Sequence, residues 1–364
     1  MNISKEDVLK ALSTVQEPDL KKDLVTLNMV KDIAIDGKKI AFTVVLTTPA
    51  CPLKELIKSE CSNAIQKHIG TDVEIDINLT AEVTSNLNNS PSLPNVKNII
   101  AVASGKGGVG KSTVASNLAI ALAKKGAKVG LIDADIYGPS MPVMFGLEGD
   151  KPGIVEEEGK NKIIPIKKFG VDLISIGFLT PTDEAIVWRG PMASSALRQF
   201  FSDVKWNDLD YLLIDLPPGT SDIHLTMVQS VPVTGAVVVT TPQKVALADA
   251  QKGLSMFKQK QINVPVLGVI ENMAFFTPPE LPNNQYFIFG KNGGKNLADK
   301  NGVPFLGQVP IVEQIREGGD NGKPVILEEG ISANAFSAIA EKVAQQVAIR
   351  NANIEKTKRV ELKV

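Results

Sequence analysis

The 364-residue sequence predicts an α/β protein, a mostly parallel sheet covered by helices, preceded by a small α+β domain. Three observations predict it. After residue 96, short β-branched runs alternate with segments of helical apolar spacing, the pattern of parallel strands joined by crossover helices. A glycine-rich stretch, Ser104-Gly-Lys-Gly-Gly-Val-Gly-Lys-Ser-Thr113, falls between one such run and one such segment. Residues 84–95, Thr-Ser-Asn-Leu-Asn-Asn-Ser-Pro-Ser-Leu-Pro-Asn, are polar and broken by proline, so they read as a linker between two patterned regions.

In residues 1–83, Ser4-Lys-Glu-Asp-Val-Leu has the composition of a helix start. Two strands follow, Val30 to Ile35 and Lys39 to Leu46, joined by Asp36-Gly37, a strong hairpin signal. A second helix is expected after Pro52, with Leu53, Leu56, Ile57 and Ile65 on its apolar side. The alternating Val73-Glu-Ile-Asp-Ile77 closes the domain as a strand.

In residues 96–353 the first strand is Asn98-Ile-Ile-Ala-Val-Ala103. The helix after the glycine-rich loop carries Val114, Leu118, Ala121 and Leu122 and ends at Gly126. Further strands are expected at Lys128 to Ile132, Asp172 to Ile176, Tyr211 to Ile214, Gly235 to Thr240, Pro265 to Ile270 and Phe305 to Gln308. Lys244 to Lys260 has a one-sided helical pattern through Val245, Leu247, Leu254 and Phe257. The charged tail 354–364 reads as solvated or as an added edge strand.

Gly105, Gly110, Lys111 and Ser112 satisfy G-x-x-x-x-G-K-[ST], so the region reads as a P-loop NTPase domain by motif and by its strand-loop-helix setting. Residues Gly105, Lys106, Gly107, Gly108, Val109, Gly110, Lys111, Ser112 and Thr113 would wrap backbone N–H groups around phosphate oxygens at a helix N-terminus. Lys111 would touch the outer phosphates and the Ser112 hydroxyl a Mg²⁺ ion. Gly105, Gly107 and Gly110 also spell the dinucleotide motif, with Asp133 near the place of a ribose acid. That fold, however, has no use for the Lys-Ser pair. Ligands of parallel sheets bind at the carboxyl ends of strands, which directs attention to Asp215 in "DLPPGT" and to Asp133 and Asp135 in "DADIYGPS". Asp215 could reach Mg²⁺ through water, Gly219 could move against a γ-phosphate, and Asp133 or Asp135 could orient an attacking water. The plain alternative for each acid is to cap the next helix.

Lysine and arginine total 39 against 40 acids, a net charge of −1, so no global pull toward nucleic acid or anionic lipid exists. The longest apolar runs are strand-sized, so no membrane span is expected. Charges at Lys5, Glu6 and Asp7, where a signal peptide would be apolar, point to a cytoplasmic protein. The two cysteines, Cys51 and Cys61, are too few for a disulfide scaffold.

"SGKGGVGKST", "DADIYGPSMP", "DLPPGTSD" and "NMAFF" stand in the order and spacing of the Mrp/ApbC iron-sulfur cluster carrier ATPases, within the deviant P-loop group of MinD and ParA. The front domain, with "TTPACPL", resembles the small iron-sulfur-assembly domain often fused ahead of that ATPase. The resemblance implies ATP and Mg²⁺ as ligands, an iron-sulfur cluster as cargo, apoprotein clients and a homodimer. The tail lacks a basic amphipathic helix and no basic DNA-reading segment is evident, so neither a membrane nor a nucleic-acid partner is expected. By the same resemblance Lys106 reaches across the dimer to phosphates bound by the partner subunit, Asp135 positions the attacking water, Asp215 lies near Mg²⁺, and Asn272 and Pro310 wall the adenine site. Without the resemblance, Lys106 reads as a solvated loop lysine.

The sequence departs from many such carriers in one respect. No C-x-x-C pair follows Asn272-Met273, and no cysteine occurs from residue 96 onward. Because clusters are held chiefly by thiolates, a cluster ligand must come from the front domain, and His224 alone cannot replace it. Cys51, between Pro49 and Pro52, is expected to be presented outward as that ligand, with burial as a packing residue the alternative. Cys61 is expected in the core. Two classes therefore stay open: a cluster carrier, or a metal-free nucleotide-dependent dimeric switch or scaffold of the MinD/ParA type.

Overall fold

The structure is a computed structural model that describes residues 3–85, 87, 93–157, 159–180, 188–278, 280–281 and 283–360. Contacts divide the chain into two units, Met1–Thr84 with Ala348–Ile354, and Ser85–Val347 with Glu355–Val364.

The first unit opens with α1 (Lys5–Leu12), which Ser4 starts by a reciprocal capping box with Asp7. Two short antiparallel strands, β1 (Gln16–Glu17) and β2 (Lys22–Asp23), precede the hairpin of β3 (Val30–Asp36) and β4 (Lys39–Leu46). Gly37 turns that hairpin at φ +59°. Helix α2 (Lys54–His68) carries the chain over to β5 (Glu74–Ala81), which runs parallel to β4 along its whole length. Alternate residues of β4, namely Ile40, Phe42, Val44 and Leu46, point into the core and meet Leu12, Ile57, Cys61 and Ile65. The α+β expectation holds here.

In the second unit, β6 (Ile99–Ser104) leads through the glycine-rich loop to α3 (Lys111–Lys124), then β7 (Val129–Asp133) and the single-turn α4 (Met141–Met144). A hairpin of β8 (Gly153–Glu157) and β9 (Lys160–Ile164), the short β10 (Ile166–Lys168), β11 (Val171–Ser175) and α5 (Gly190–Ser202) follow. The chain continues through β12 (Tyr211–Asp215), α6 (Asp222–Ser230), β13 (Gly235–Thr240), α7 (Lys244–Lys258) and β14 (Val266–Glu271). It then forms α8 (Gly293–Asn301), β15 (Phe305–Gln308) and α9 (Glu313–Asp320), and α10 (Ile331–Asn353) begins in this unit.

Among the described residues eight strands form one sheet in the order β10-β11-β7-β12-β6-β13-β14-β15. All its pairings are parallel except that of the edge strand β10 with β11. β6, β7, β11, β12 and β13 are buried along their whole length, as expected of strands covered on both faces. Leu197, Phe200, Phe201, Met227, Leu254 and Phe257 from α5, α6 and α7 fill one large core. Each strand expected in this unit is present within a residue or two, whereas β5 of the first unit runs four residues past the expected Ile77.

Two expectations meet a more varied outcome. Of the stretch 84–95, residues 86 and 88–92 lie outside the described residues, but Leu87 and Leu93 are buried in the core of the second unit. Tail residues 361–364 also lie outside. Before them Thr357 bridges Leu87, and the Val360 N–H bonds the Val228 carbonyl, so this part of the tail docks.

Candidate functional site

The loop between β6 and α3 takes its shape from two glycines. A side chain on Gly105 would collide with the backbone of Asp249 in α7. Gly110 sits at φ +78° directly against the Asn272 amide, so any Cβ would displace it. Asn272 Nδ2 donates to the Val109 carbonyl at 2.8 Å and ties the end of β14 to the back of the loop.

Lys111 opens α3 and is 6% exposed. Its Nζ lies 2.7 Å from Asp215 Oδ1, 3.6 Å from Asp135 Oδ2 and 3.3 Å from Ser112 Oγ. Ser112 Oγ donates to Asp215 Oδ2 at 2.6 Å. Asp215 stands at the end of β12 opposite Asp133 at the end of β7, both fully buried. Asp133 accepts from Ser175 Oγ at 2.9 Å and from the backbone N–H groups of Met141 and Asp135 at 3.2 and 3.3 Å. The sheet thus brings Asp133 of β7, Asp135 just beyond it, Asp215 of β12 and Lys111 of α3 into one cluster at the carboxyl ends of its strands, where such folds bind ligands.

Burial, and then the neighbouring Asp215 charge, pushes the Asp133 carboxyl up to about 7. Burial also raises Asp135 and Asp215, against the pull of Lys111. An excess of buried carboxylates over cations favours a bound divalent cation. The Ser112 hydroxyl with the Asp215 carboxylate is a hard-oxygen pair of the kind that holds Mg²⁺ alongside phosphate.

Beside the loop lies a cavity of about 760 Å³ with mostly apolar walls. Gly110, Thr113, Asn272 and Pro310 line it, with Met144 from α4 and Ile315 from α9. Asn272 and Pro310, expected to wall a base pocket, therefore face one space next to the phosphate loop. Lys106 is exposed, and no side-chain hydrogen bond or ion pair is found for it among the described residues.

The cysteines correct one expectation. Cys51 is not presented outward: it is 9% exposed and belongs to the core of the first unit. Its flanking prolines fix φ but not the direction of the turn. The Cys51 N–H bonds the Thr48 carbonyl, and the side chain is buried in the same core that β4 and α2 fill. Cys61 is fully buried, as expected, and burial followed by the Glu60 charge pushes its thiol up to about 12. Among the described residues no group of three or more His, Cys, Asp or Glu side chains is arranged to hold a metal.

Two features were not read from the sequence. Glu271, buried at the end of β14, accepts from Gln308 Nε2 at 2.7 Å and from the Gly294 N–H at the start of α8. His224 is buried on α6. A buried acid beside Asn272 was the available signal for the first, and the capping position three residues after Ser221 for the second.

Residues 95–347 match the family described as NUBPL iron-transfer P-loop NTPase, and residues 5–80 match the iron-sulfur cluster assembly protein family. The chain is 48% identical over 351 residues to an iron-sulfur cluster carrier protein of Synechocystis, covering 95% of this chain and 99% of the relative. This chain belongs to the iron-sulfur cluster carrier family of P-loop NTPases. A carrier protein of Escherichia coli strain K12 is 44% identical over 94% of this chain. Among solved structures, a nucleotide-binding protein of Archaeoglobus fulgidus in complex with ADP matches at 39% identity and a TM-score of 0.57, over 65% of this chain and 91% of that one. The family carries a nucleotide loop of the form seen here, and the predicted fold class holds. No helix among the described residues is long and apolar enough to cross a membrane.

Proposed function

We propose that the protein binds and hydrolyses ATP with Mg²⁺ as a homodimer and carries iron-sulfur clusters to apoproteins. The observation that carries this reading is the Lys111–Asp215–Ser112 cluster beside a cavity of about 760 Å³ with mostly apolar walls, in a chain whose front domain is of the cluster-assembly kind. Lys111 binds the outer phosphates, releasing its hold on Asp215 and Asp135. Ser112 and Asp215 would hold Mg²⁺, which would supply positive charge against the transferred phosphoryl group. Asp135, 17% exposed and 3.6 Å from Lys111, orients the attacking water. Lys106 adds a cation in trans as charge develops, in the manner of an arginine finger.

The cargo needs thiolates, and Cys51 is the less buried of the two cysteines. A cluster held by this chain therefore takes Cys51 from each of two copies, or Cys51 with ligands from a client, after the turn at Thr48 opens. Protein purified without oxygen and reconstituted with iron and sulfide tests the reading. The expected result is bound cluster by visible absorption in wild type and in Cys61→Ser, and loss in Cys51→Ser. No cluster in any of the three would favour the metal-free switch, and equal cluster in all three would remove Cys51.

A further inference from the structure

His224 takes no part in the phosphate cradle or the ion pairs around Lys111, yet it is 1% exposed on the first turn of α6, just beyond the loop that leaves Asp215. That loop orients its ring. The Ser221 N–H donates to Nδ1 at 3.2 Å, and Ser221 Oγ lies 3.3 Å from the same nitrogen. This is the capping-box position, where the usual glutamate accepts a bond and leaves no donor over. A histidine that accepts at Nδ1 carries its proton on Nε2 when neutral. Nε2 is buried, with no hydrogen-bond partner among the described residues. Burial, helped by the Lys111 charge, lowers its pKa to about 4, so the ring stays a neutral donor. A buried N–H left without an acceptor is costly, which calls for a state in which it finds one.

The loop from Leu216 to Ser221 has one firm end and one movable point. The Leu216 N–H bonds the Val102 carbonyl at 3.0 Å, extending the ladder of β12 on β6. The Gly219 N–H bonds the Ser104 carbonyl at 2.9 Å, at the mouth of the phosphate loop. Gly219 has φ +85°, with open space where a Cβ would be. A γ-phosphate seated on Lys111 competes with Ser104 for that amide, because a charged oxygen is the stronger acceptor. If Gly219 turns, Thr220 and Ser221 turn with it, and Ser221 is what holds the His224 ring.

We propose that His224 is a positioning residue that couples the triphosphate state to the Leu216–Ser221 loop and α6. Its Nε2–H gains an oxygen acceptor when the Gly219 amide leaves Ser104 for the γ-phosphate, and that bond holds the loop in the arrangement from which hydrolysis proceeds. The inference rests on the ATPase reading above.

The chain has two histidines, His68 and His224, so the imidazole ¹⁵N resonances of the full-length protein can be assigned with His68→Gln alone. Mg·ADP should leave the His224 Nε2 resonance where it is without nucleotide. A non-hydrolysable Mg·ATP analogue should move it to the shift of a hydrogen-bonded N–H, with His68 unmoved. In steady state, His224→Leu should lose about tenfold in kcat, with KM for ATP and Kd for Mg·ADP within about twofold. His224→Gln, which keeps an acceptor for Ser221 and a donor, should recover most of the rate. An unchanged Nε2 resonance while both nucleotides bind would overturn the inference, as would wild-type turnover by His224→Leu. If His224→Leu does not fold, the wild-type resonances still decide. Failure of the wild-type protein to bind ATP at all would remove the ATPase reading, and the inference with it.

Discussion

Lys111 is held between Asp215 and Asp135 with almost no exposure, whereas Lys106, five residues earlier, is exposed. The two lysines of one loop should therefore fail differently. Lys111→Ala removes the cation inside the cradle and leaves buried carboxylates facing the phosphates, so nucleotide affinity should fall by about a hundredfold or more. Lys106→Ala should keep Kd within about threefold and lose most of kcat, because in the proposed dimer its contact with the γ-phosphate strengthens as charge develops. Calorimetric Kd values with turnover measurements separate the two. His224 gives a second test at this scale. Its folded pKa is about 4 against an ordinary 6.5, so below pH 6.5 the unfolded chain takes up a proton that the folded chain refuses. Stability from this group is therefore present above pH 6.5 and lost as pH falls toward 4, by about 3 kcal/mol at the limit. Denaturant unfolding of wild type and His224→Gln at pH 7 and pH 4.5 should show the extra loss in wild type only.

At the scale of elements, Glu271 joins three of them: its own strand β14, Gln308 of β15 and the Gly294 N–H at the start of α8. A carboxylate at a helix N-terminus is favourable, and here it also satisfies the buried Gly294 N–H and the half-buried Gln308 amide. Glu271→Ala should destabilise by about 2–4 kcal/mol because both donors lose their acceptor, while Glu271→Gln, keeping one acceptor, should lose less. Chemical denaturation measures both, and a loss below about 1 kcal/mol for the alanine variant would show the junction repaired by water. Glu271 also shows what the sequence could and could not reveal. The strands and the phosphate loop were legible because their signals are local: β-branched runs, glycine spacing, and an acid at a strand end such as Asp215. The hairpin β8–β9, the docking of Leu87 and Leu93, and the inward turn of Cys51 depend on what lies across the fold. A proline pair around Cys51 looks the same whether the turn faces solvent or β4.

The whole molecule carries a net charge of −1, so two copies meet without appreciable long-range repulsion, and the contact at their interface decides whether they stay together. In the homodimer proposed above, Lys106 sets a condition on that contact. A lysine carried from solvent into a partner's site loses hydration, and without a compensating anion the cost opposes association. ADP leaves that position empty, whereas ATP offers a γ-phosphate, so only the triphosphate state repays the desolvation. Because a ligand shifts an equilibrium only by its differential affinity for the two states, Mg·ATP should favour the dimer over the monomer more than Mg·ADP does. Asp135→Ala should hold the ATP dimer longer by slowing hydrolysis. Lys106→Ala should reduce the difference between nucleotides, and rising salt should weaken the wild-type dimer less than it would a surface ion pair, since the contact is desolvated. Sedimentation velocity with each nucleotide reads all three. The same mass for wild type with both nucleotides would count against a dimer gated by the γ-phosphate, and an undiminished ATP dimer in Lys106→Ala would mean that some other contact closes the interface.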